Sequence, residues 1–236
     1  MHKIDAIILA GGKGKRLRKL VKNVPKPMAQ VHGKPFLDIL FSQLDECGLI
    51  DGVALALGYK ASKIIDKYKS VFPYRFSLDF CVEKKLLGTG GAVKNAIGHT
   101  KSNPVLVMNG DSYTDIDLKD FIRFHKKHKA KLTIALFRKN GSGRYGSIQV
   151  DARGKIVSFQ EKIKTNKNAL INAGLYLMDR GIFDNVRNGK ILSLEKDLMP
   201  SFVTRFKNSV FGYLAKGRFI DIGTPRSYVS ADKYLR

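Results

Sequence analysis

The sequence predicts an α/β protein with a doubly wound, mainly parallel sheet that becomes mixed in its second half. Two observations predict the class. Short apolar runs alternate with amphipathic helical patterns from the first residues to about residue 137. That alternation is the grammar of strand–helix–strand units with both sheet faces covered. After Lys139 the hydrophobic period shortens to two, the mark of half-buried antiparallel strands.

Taken in order, "IDAIILA" (4–10) reads as a buried strand. It is too short for the core of a signal peptide, and glycines follow it. "PFLDILFSQLDECG" (35–48) sets Phe36, Leu37, Leu40, Phe41 and Leu44 at helical spacing between a proline and a glycine, a start and a stop signal. "VALAL" (53–57) is a strand and "ASKIIDKYKSVF" (61–72) a helix. "SLDFCV" (77–82) is a strand, "GGAVKNAIG" (90–98) opens a helix, and "PVLVMNGD" (104–111) is another strand. "DLKDFIRFHKKH" (117–128) is an amphipathic helix leading to the strand "LTIALF" (132–137). "YGSIQVDARGKIVSFQEK" (145–162) alternates about an Asp-Ala-Arg-Gly turn and reads as a small antiparallel hairpin. "INAGLYLM" (171–178) and "SVFGYLAKGRFIDIG" (209–223) add strands, and "PRSYVSADKYLR" (225–236) is a helix. No linker, repeat or low-complexity segment interrupts the chain, so one domain over residues 1–236 is expected, in halves 1–139 and 140–236.

Forty-three Lys and Arg against twenty Asp and Glu leave a net charge of +23. Such a balance admits a nucleic-acid binder, an anionic membrane surface, anionic small substrates, or lysines decorating the whole surface. The lysines scatter from Lys3 to Lys233, but one stretch stands apart. From Ala6 to Leu37 there is no acidic residue, and eight Lys or Arg occur. A nucleic-acid binder would interleave aromatics with these cations, yet residues 6–35 hold no aromatic except His32. No nucleic-acid partner is expected. No run approaches the roughly 18 apolar residues of a membrane span, so no membrane partner is expected either. Cys47 and Cys81 form no CxxC pair, which implies neither a disulfide framework nor a zinc site and suits a cytoplasmic location. His125 and His128, three apart on a basic helix, read as surface side chains rather than metal ligands.

At "AIILAGGKGKRLRKL" (6–20) a strand runs into glycines at the point of densest positive charge. That suggests backbone N–H groups brought close to something small and anionic; the alternative is a basic surface loop. A dinucleotide fingerprint would need glycine at Leu17, and a P-loop would need glycine at Leu9 and a hydroxyl at Arg16. Both fail. What remains is L-A-G-G-x-G-x-R-L with "VPKP" following.

That combination resembles the sugar-1-phosphate nucleotidyltransferase family. The resemblance covers almost the whole chain in consistent order: "LAGGKGKRL" (9–17), "VPKPM" (24–28), "GKPFLDIL" (33–40), "LGTGGAV" (87–93), "NGD" (109–111), the 145–162 hairpin, "NAGLYLM" (172–178) and "DIGTP" (221–225). It implies a Rossmann-like, glycosyltransferase-A-like core and attack by a sugar-1-phosphate oxygen on the α-phosphorus of a nucleoside triphosphate. Positioning and charge neutralisation do most of such catalysis. Gly11, Gly12 and Gly14, entered from Leu9 and Ala10, let the backbone curl around the triphosphate. Arg16 offers a planar fork for phosphate oxygens, and Lys26, between two prolines, a point charge for the reacting phosphates. Lys15 stands where the family usually has Thr.

Asp111 follows Asn109 at a strand's carboxyl end, where open α/β sheets bind ligands, and suits a Mg²⁺ ion, with Mn²⁺ as a substitute. By resemblance Asp221 is the second metal ligand. The turn at Gly88, Thr89 and Gly90 opens a helix whose N–H groups another anion or a base edge can approach; by resemblance it lies beside the nucleobase. Gly146, Glu161 and Asn172 resemble the sugar-hydroxyl contacts, and Lys162 the lysine facing the sugar phosphate. Ile163 replaces the usual proline after "EK". The chain is most similar to guanylyltransferases of D-glycero-D-manno-heptose 1-phosphate, which implies GTP as the nucleotide and surface polysaccharide synthesis as the setting. Mannose-1-phosphate guanylyltransferases and uridylyl, cytidylyl or thymidylyl counterparts are the alternatives, and a homodimer is admitted. Guanine presents two adjacent donors that one carboxylate can accept, and Glu83 is the acid placed to do so.

Overall fold

In the computed structural model, which describes residues 2–14, 16–17, 20–21, 23–139, 147–160 and 169–235, the apolar runs become a mixed sheet of nine strands. The first half comprises β1 (Ile4–Leu9), the small ladder of β2 (Gln30–Val31) and β3 (Lys34–Pro35), α1 (Phe36–Cys47), β4 (Ile50–Leu57) and α2 (Ala61–Tyr68). It continues through β5 (Ser77–Val82), α3 (Gly88–Ala96), β6 (Val105–Asn109), β7 (Ser112–Thr114) and α4 (Leu118–Lys127). The second half holds β8 (Leu132–Lys139), β9 (Ser147–Val150), β10 (Ile156–Gln160), β11 (Ala169–Met178), α5 (Met199–Arg205), β12 (Val210–Leu214), β13 (Phe219–Asp221) and α6 (Pro225–Tyr234).

Strands β5, β4, β1 and β6 lie side by side and parallel. β11 pairs antiparallel with both β6 and β8, and β12 pairs parallel with β8. In the run from β5 to β12, β11 alone points the other way, so the fold is the expected mixed, mainly parallel one. The expected hairpin is β9–β10, with Gln160 opposite Ser147, and it joins β11 at Ile171. β7 and β13 form a separate ladder that carries the distant C-terminal segment to the end of β6.

Alternation along each central strand feeds two cores. Ala6 and Ile8 of β1 and Leu106 and Met108 of β6 pack on the α1 side. Ile7, Val105 and Val107 pack on the α3 side. The α1 stripe of Phe36, Leu37, Leu40, Phe41 and Leu44 is fully buried, each side chain contributing about 1.5–3 kcal/mol by leaving water. Gly48, at φ +66, ends the helix in the left-handed conformation.

Two local readings change. α3 starts at Gly88 rather than Gly90, so Thr89 lies in its first turn. His125 is not a surface side chain. It is buried at 4% exposure, its Nδ1 sits 2.8 Å from Thr133 Oγ1, and burial pushes its pKa down to about 4. A neutral imidazole with one hydroxyl partner can be housed in the core where a charged one could not.

Candidate active site

β1 and β6 are parallel neighbours and finish together, Leu9 opposite Asn109. The turn after each strand therefore opens at the same sheet edge, the carboxyl end where this architecture binds ligands. The two turns are in contact: Gly110 N–H donates to Leu9 O at 3.0 Å. A Cβ on Gly110 would stand 2.6 Å from that oxygen, so the approach requires glycine.

A cleft runs along this edge in two connected parts that share Leu9, Gly12 and Asp111. The first, of about 220 Å³, is lined also by Ala10, Gly14, Arg16, Lys26 and Gly223. The second, of about 380 Å³, is lined by Gly11, Glu83, Leu86, Gly88, Thr89, Ala92, Asn109 and Glu195. Arg16, Lys26, Asp111 and the other nucleotide-side residues expected from the sequence thus meet in one cleft.

The three glycines of the first turn are there for different reasons. A Cβ on Gly11 would press to 3.1 Å from Gly58 N, whereas one on Gly12 would meet nothing within 4 Å and project into open space. Gly14 sits at φ +56, and a Cβ there would stand 3.2 Å from Lys26 Cβ. Beyond them Leu17 is buried at 2% exposure and donates its N–H to Gly14 O at 3.0 Å. That anchor holds the exposed Arg16 at the rim.

Lys26 occupies a single 3₁₀ turn between Pro25 and Pro27. Its side chain is 11% exposed, and its ammonium pairs with the Asp111 carboxylate. The pairing keeps a largely desolvated cation neutralised. The β7–β13 ladder sets Asp221 opposite Ser112, and Ile222 N–H donates to Asp111 O at 2.9 Å. Asp221 Oδ1 accepts from Gly223 N–H at 2.8 Å and from Ser227 Oγ at 3.0 Å. A Cβ on Gly223 would stand 2.8 Å from that oxygen and 3.4 Å from Lys26 Nζ. Two carboxylates from segments 110 residues apart in the chain are therefore brought to one end of the sheet, Asp111 lining the cleft and Asp221 bonded to Gly223, which also lines it. An all-oxygen donor set of this kind fits a hard divalent cation.

The second part of the cleft is built differently. Glu83 is fixed by its N–H to Leu57 O at 2.8 Å, and its Oε2 accepts Leu87 N–H at 3.2 Å. Its Oε1 is buried with no hydrogen-bond partner, as is Asn109 Oδ1. Burial raises the Glu83 pKa, opposed by the Leu87 hydrogen bond.

The glycine turn at 88–91 departs from the sequence reading. The N–H groups of Gly90 and Gly91 are directed to Leu192 O, at 2.8 and 3.3 Å. A Cβ on Gly88 would stand 2.5 Å from that same oxygen. These glycines admit the 190–194 segment, and the Gly90 and Gly91 amides are not presented to a ligand. The segment brings in Glu195, which sequence reasoning missed. Its Oε2 accepts from Thr89 Oγ1 at 2.8 Å. Glu195 follows Ser193, which caps the next helical turn by accepting Lys196 N–H, so in the sequence it reads as a first-turn acid and nothing more.

Asn172 lies on β11 and lines neither part of the cleft. It accepts Gly174 N–H at 3.0 Å and donates to Tyr176 OH at 2.7 Å, holding the irregular stretch of β11. Lys15, Gly146, Glu161 and Lys162 lie outside the described residues.

The nucleotidyl transferase family model matches residues 5–236. The chain belongs to that family. It is 37% identical over 225 residues to the D-glycero-alpha-D-manno-heptose 1-phosphate guanylyltransferase of Campylobacter jejuni, covering 95% of this chain and 97% of that protein. It is 32% identical to the mannose-1-phosphate guanylyltransferase of Mycobacterium tuberculosis, covering 98% of this chain but 65% of that longer protein. Among solved structures, HddC from Yersinia pseudotuberculosis superposes with a TM-score of 0.86 at 35% identity, over 99% of this chain and all of that one. The same protein complexed with GMP-PN superposes with a TM-score of 0.84. The class expected from the motifs, a sugar-1-phosphate nucleotidyltransferase, is the class to which the chain belongs. Among the described residues no helix is long and apolar enough to cross a membrane.

Proposed function

We propose that the chain transfers GMP from GTP to D-glycero-D-manno-heptose 1-phosphate, releasing pyrophosphate. The observation that carries the choice of GTP is the buried, unpartnered Glu83 Oε1 on the wall of the cleft. Guanine N1–H and its exocyclic amine can donate to one carboxylate side by side, and uracil, cytosine and thymine have no such pair. The heptose substrate is supported by the near-complete mutual coverage with the Campylobacter relative, against the partial coverage of the mannose enzyme.

In this reading the triphosphate lies in the first part of the cleft and the base in the second. An oxygen of the sugar 1-phosphate attacks the α-phosphorus and forms a new P–O bond. The bond from the α-phosphorus to the oxygen bridging to the β-phosphate breaks, and its electron pair leaves with pyrophosphate. The glycine turn and Arg16 orient the phosphates, and Lys26 offsets charge growing on the departing oxygens. Asp111 and Asp221 would hold Mg²⁺ or Mn²⁺, which supplies charge neutralisation on the phosphate oxygens. Asn109 Oδ1 accepts from a nucleotide hydroxyl. As the family resemblance implies, Gly146 and Glu161 would contact the sugar hydroxyls and Lys162 the sugar phosphate. The same resemblance assigns Asn172 there, although in the structure its amide is held by Gly174 and Tyr176.

Pyrophosphate release over a grid of GTP, UTP, CTP and dTTP against heptose, mannose, glucose and N-acetylglucosamine 1-phosphates tests the proposal. GTP with the heptose phosphate is expected to lead. Discrimination against the other bases can reach roughly 10⁴-fold when a site built for donors is left unpaired. A pyrimidine triphosphate leading would overturn the guanylyl reading, and mannose 1-phosphate leading would overturn only the sugar.

A further inference from the structure

Asp79, Cys81 and His99 take no part in the chemistry above. Asp79 and Cys81 stand two apart on β5 and so project to the same face of the strand. His99 ends the 3₁₀ turn that continues α3. An oxygen of Asp79, the sulfur of Cys81 and a ring nitrogen of His99 all lie within 4.8 Å of one another. No other trio of His, Cys, Asp or Glu among the described residues is so placed. Asp79 and His99 are exposed, and Cys81, at 2% exposure, forms the floor between them. β5 is the outer strand of the sheet on this side, and the approach from solvent is through the exposed Asp79 and His99. His99 Nδ1 is in contact with Asp79 Oδ2 at 2.7 Å, and the Cys81 sulfur lies at the edge of the core that packs on the α3 side.

We propose that Asp79, Cys81 and His99 bind one zinc-class divalent cation at a site separate from the catalytic cleft. Three N, O and S donors with a fourth position open to solvent are a set that borderline-soft cations accept in tetrahedral geometry, whereas Mg²⁺ demands oxygens. On binding, the ion displaces the thiol proton, which passes to solvent, and takes the lone pair of a neutral imidazole nitrogen in place of the His99–Asp79 hydrogen bond. The carboxylate and the thiolate then balance the dipositive ion. The absence of a CxxC spacing hid this arrangement in the sequence, because its third ligand comes from a different element.

The ion would tie β5 to the far end of α3. The segment between those two points carries Glu83, Leu86, Gly88 and Thr89, the wall of the second part of the cleft. The site would brace that wall at both ends.

The test uses the full chain, stripped of metal and titrated with Co²⁺, and with Zn²⁺ against a chromophoric competitor. One Co²⁺ per chain is expected, with thiolate-to-cobalt charge-transfer absorption that Zn²⁺ displaces and excess Mg²⁺ does not. Cys81→Ser should abolish the absorption, and His99→Ala and Asp79→Asn should each weaken Zn²⁺ binding at least about tenfold, the scale of losing a partner at a metal site. Cys47→Ser should change neither. Amide exchange across 83–98 should slow with Zn²⁺ in the wild type and not in His99→Ala. The two exposed-residue variants keep the test decisive should Cys81→Ser fail to fold. No charge-transfer band in the wild type, or Zn²⁺ affinity unchanged in both His99→Ala and Asp79→Asn, would overturn the site.

Discussion

The two parts of the cleft share three residues and yet solve opposite electrostatic problems. On the phosphate side the charges already answer one another: Lys26 pairs with Asp111, and Asp221 accepts from Gly223 and Ser227. On the base side Glu83 and Asn109 each keep one oxygen buried without a partner, in a wall that also holds Leu86 and Ala92. A prepaired site binds any ligand of the right charge by exchanging partners, and it discriminates little. A site with orphaned acceptors leaves their desolvation uncompensated until a ligand brings donors. The first kind of wall holds and activates; the second kind chooses.

The largest effect should come from the side that activates. Arg16→Ala and Lys26→Ala should each lower turnover by roughly two orders of magnitude or more, the scale of removing one contact to developing charge. The GTP-over-UTP ratio should stay within a few-fold of wild type in both. Lys13→Ala, on the same loop but lining neither part of the cleft, should lose little activity. Steady-state kinetics with GTP and UTP check all three, and equal losses for Lys13 and Arg16 would reduce the turn to a generic basic loop.

Next comes the side that chooses. Glu83→Gln keeps the shape and one acceptor but loses the charge. A hydrogen bond to a charged group contributes about 1.5–3 kcal/mol, so the GTP preference should fall about tenfold to a hundredfold. Turnover at saturating GTP should change far less than in Lys26→Ala. A selectivity ratio unchanged in this variant would remove Glu83 from base recognition.

The same contrast explains what could be seen in the sequence. The activating side was legible because its chemistry is local: directly after a strand, three glycines, Arg16 and the Pro25–Lys26–Pro27 stretch lie within the seventeen residues from Gly11 to Pro27. Asp111 was legible from its place at a strand end. The long periodic elements, α1 above all, were legible because burial of Phe36, Leu37, Leu40, Phe41 and Leu44 is written in their spacing. The choosing side was legible only in part. Glu83 stood out as an acid near the second glycine turn, but Glu195 arrives from more than a hundred residues away. The glycines at 88–91 showed that something comes close without saying whether it is a ligand or the chain's own Leu192. His125 looked like surface because its neighbours on the helix are lysines; its partner, Thr133, lies on the next strand.

A smaller effect, on stability, separates those two meanings of the second glycine turn. Gly88→Ala puts a methyl group 2.5 Å from the Leu192 oxygen at a φ of +72. Strain of this kind costs of order 1–3 kcal/mol, so denaturant unfolding should shift to lower midpoint with or without nucleotide. Gly12→Ala, whose methyl meets nothing, should unfold as the wild type does and lose GTP binding instead. A stable Gly88→Ala variant with weakened GTP binding would mean that the turn faces the ligand after all.

The smallest effect is a gain. Burial raises the Glu83 pKa above its ordinary 4.5, so the folded chain holds that proton more tightly than the unfolded one. The stabilisation from protonation is complete below the unfolded value and is lost as pH rises through the folded one. At neutral pH the apo protein therefore carries the cost of a buried carboxylate with one oxygen unpartnered. Glu83→Gln removes the charge and should raise the apo melting temperature by about 2 °C at pH 7, a gain that fades as the pH is lowered towards 4.5. Saturating GTP should reverse the order, because the nucleotide stabilises the form it binds more tightly, and in the proposed reading that is the wild type. Melting curves of both proteins across pH, with and without GTP, decide it. A variant less stable than wild type at pH 7 without nucleotide would show that the Glu83 charge supports the fold rather than waiting for a base.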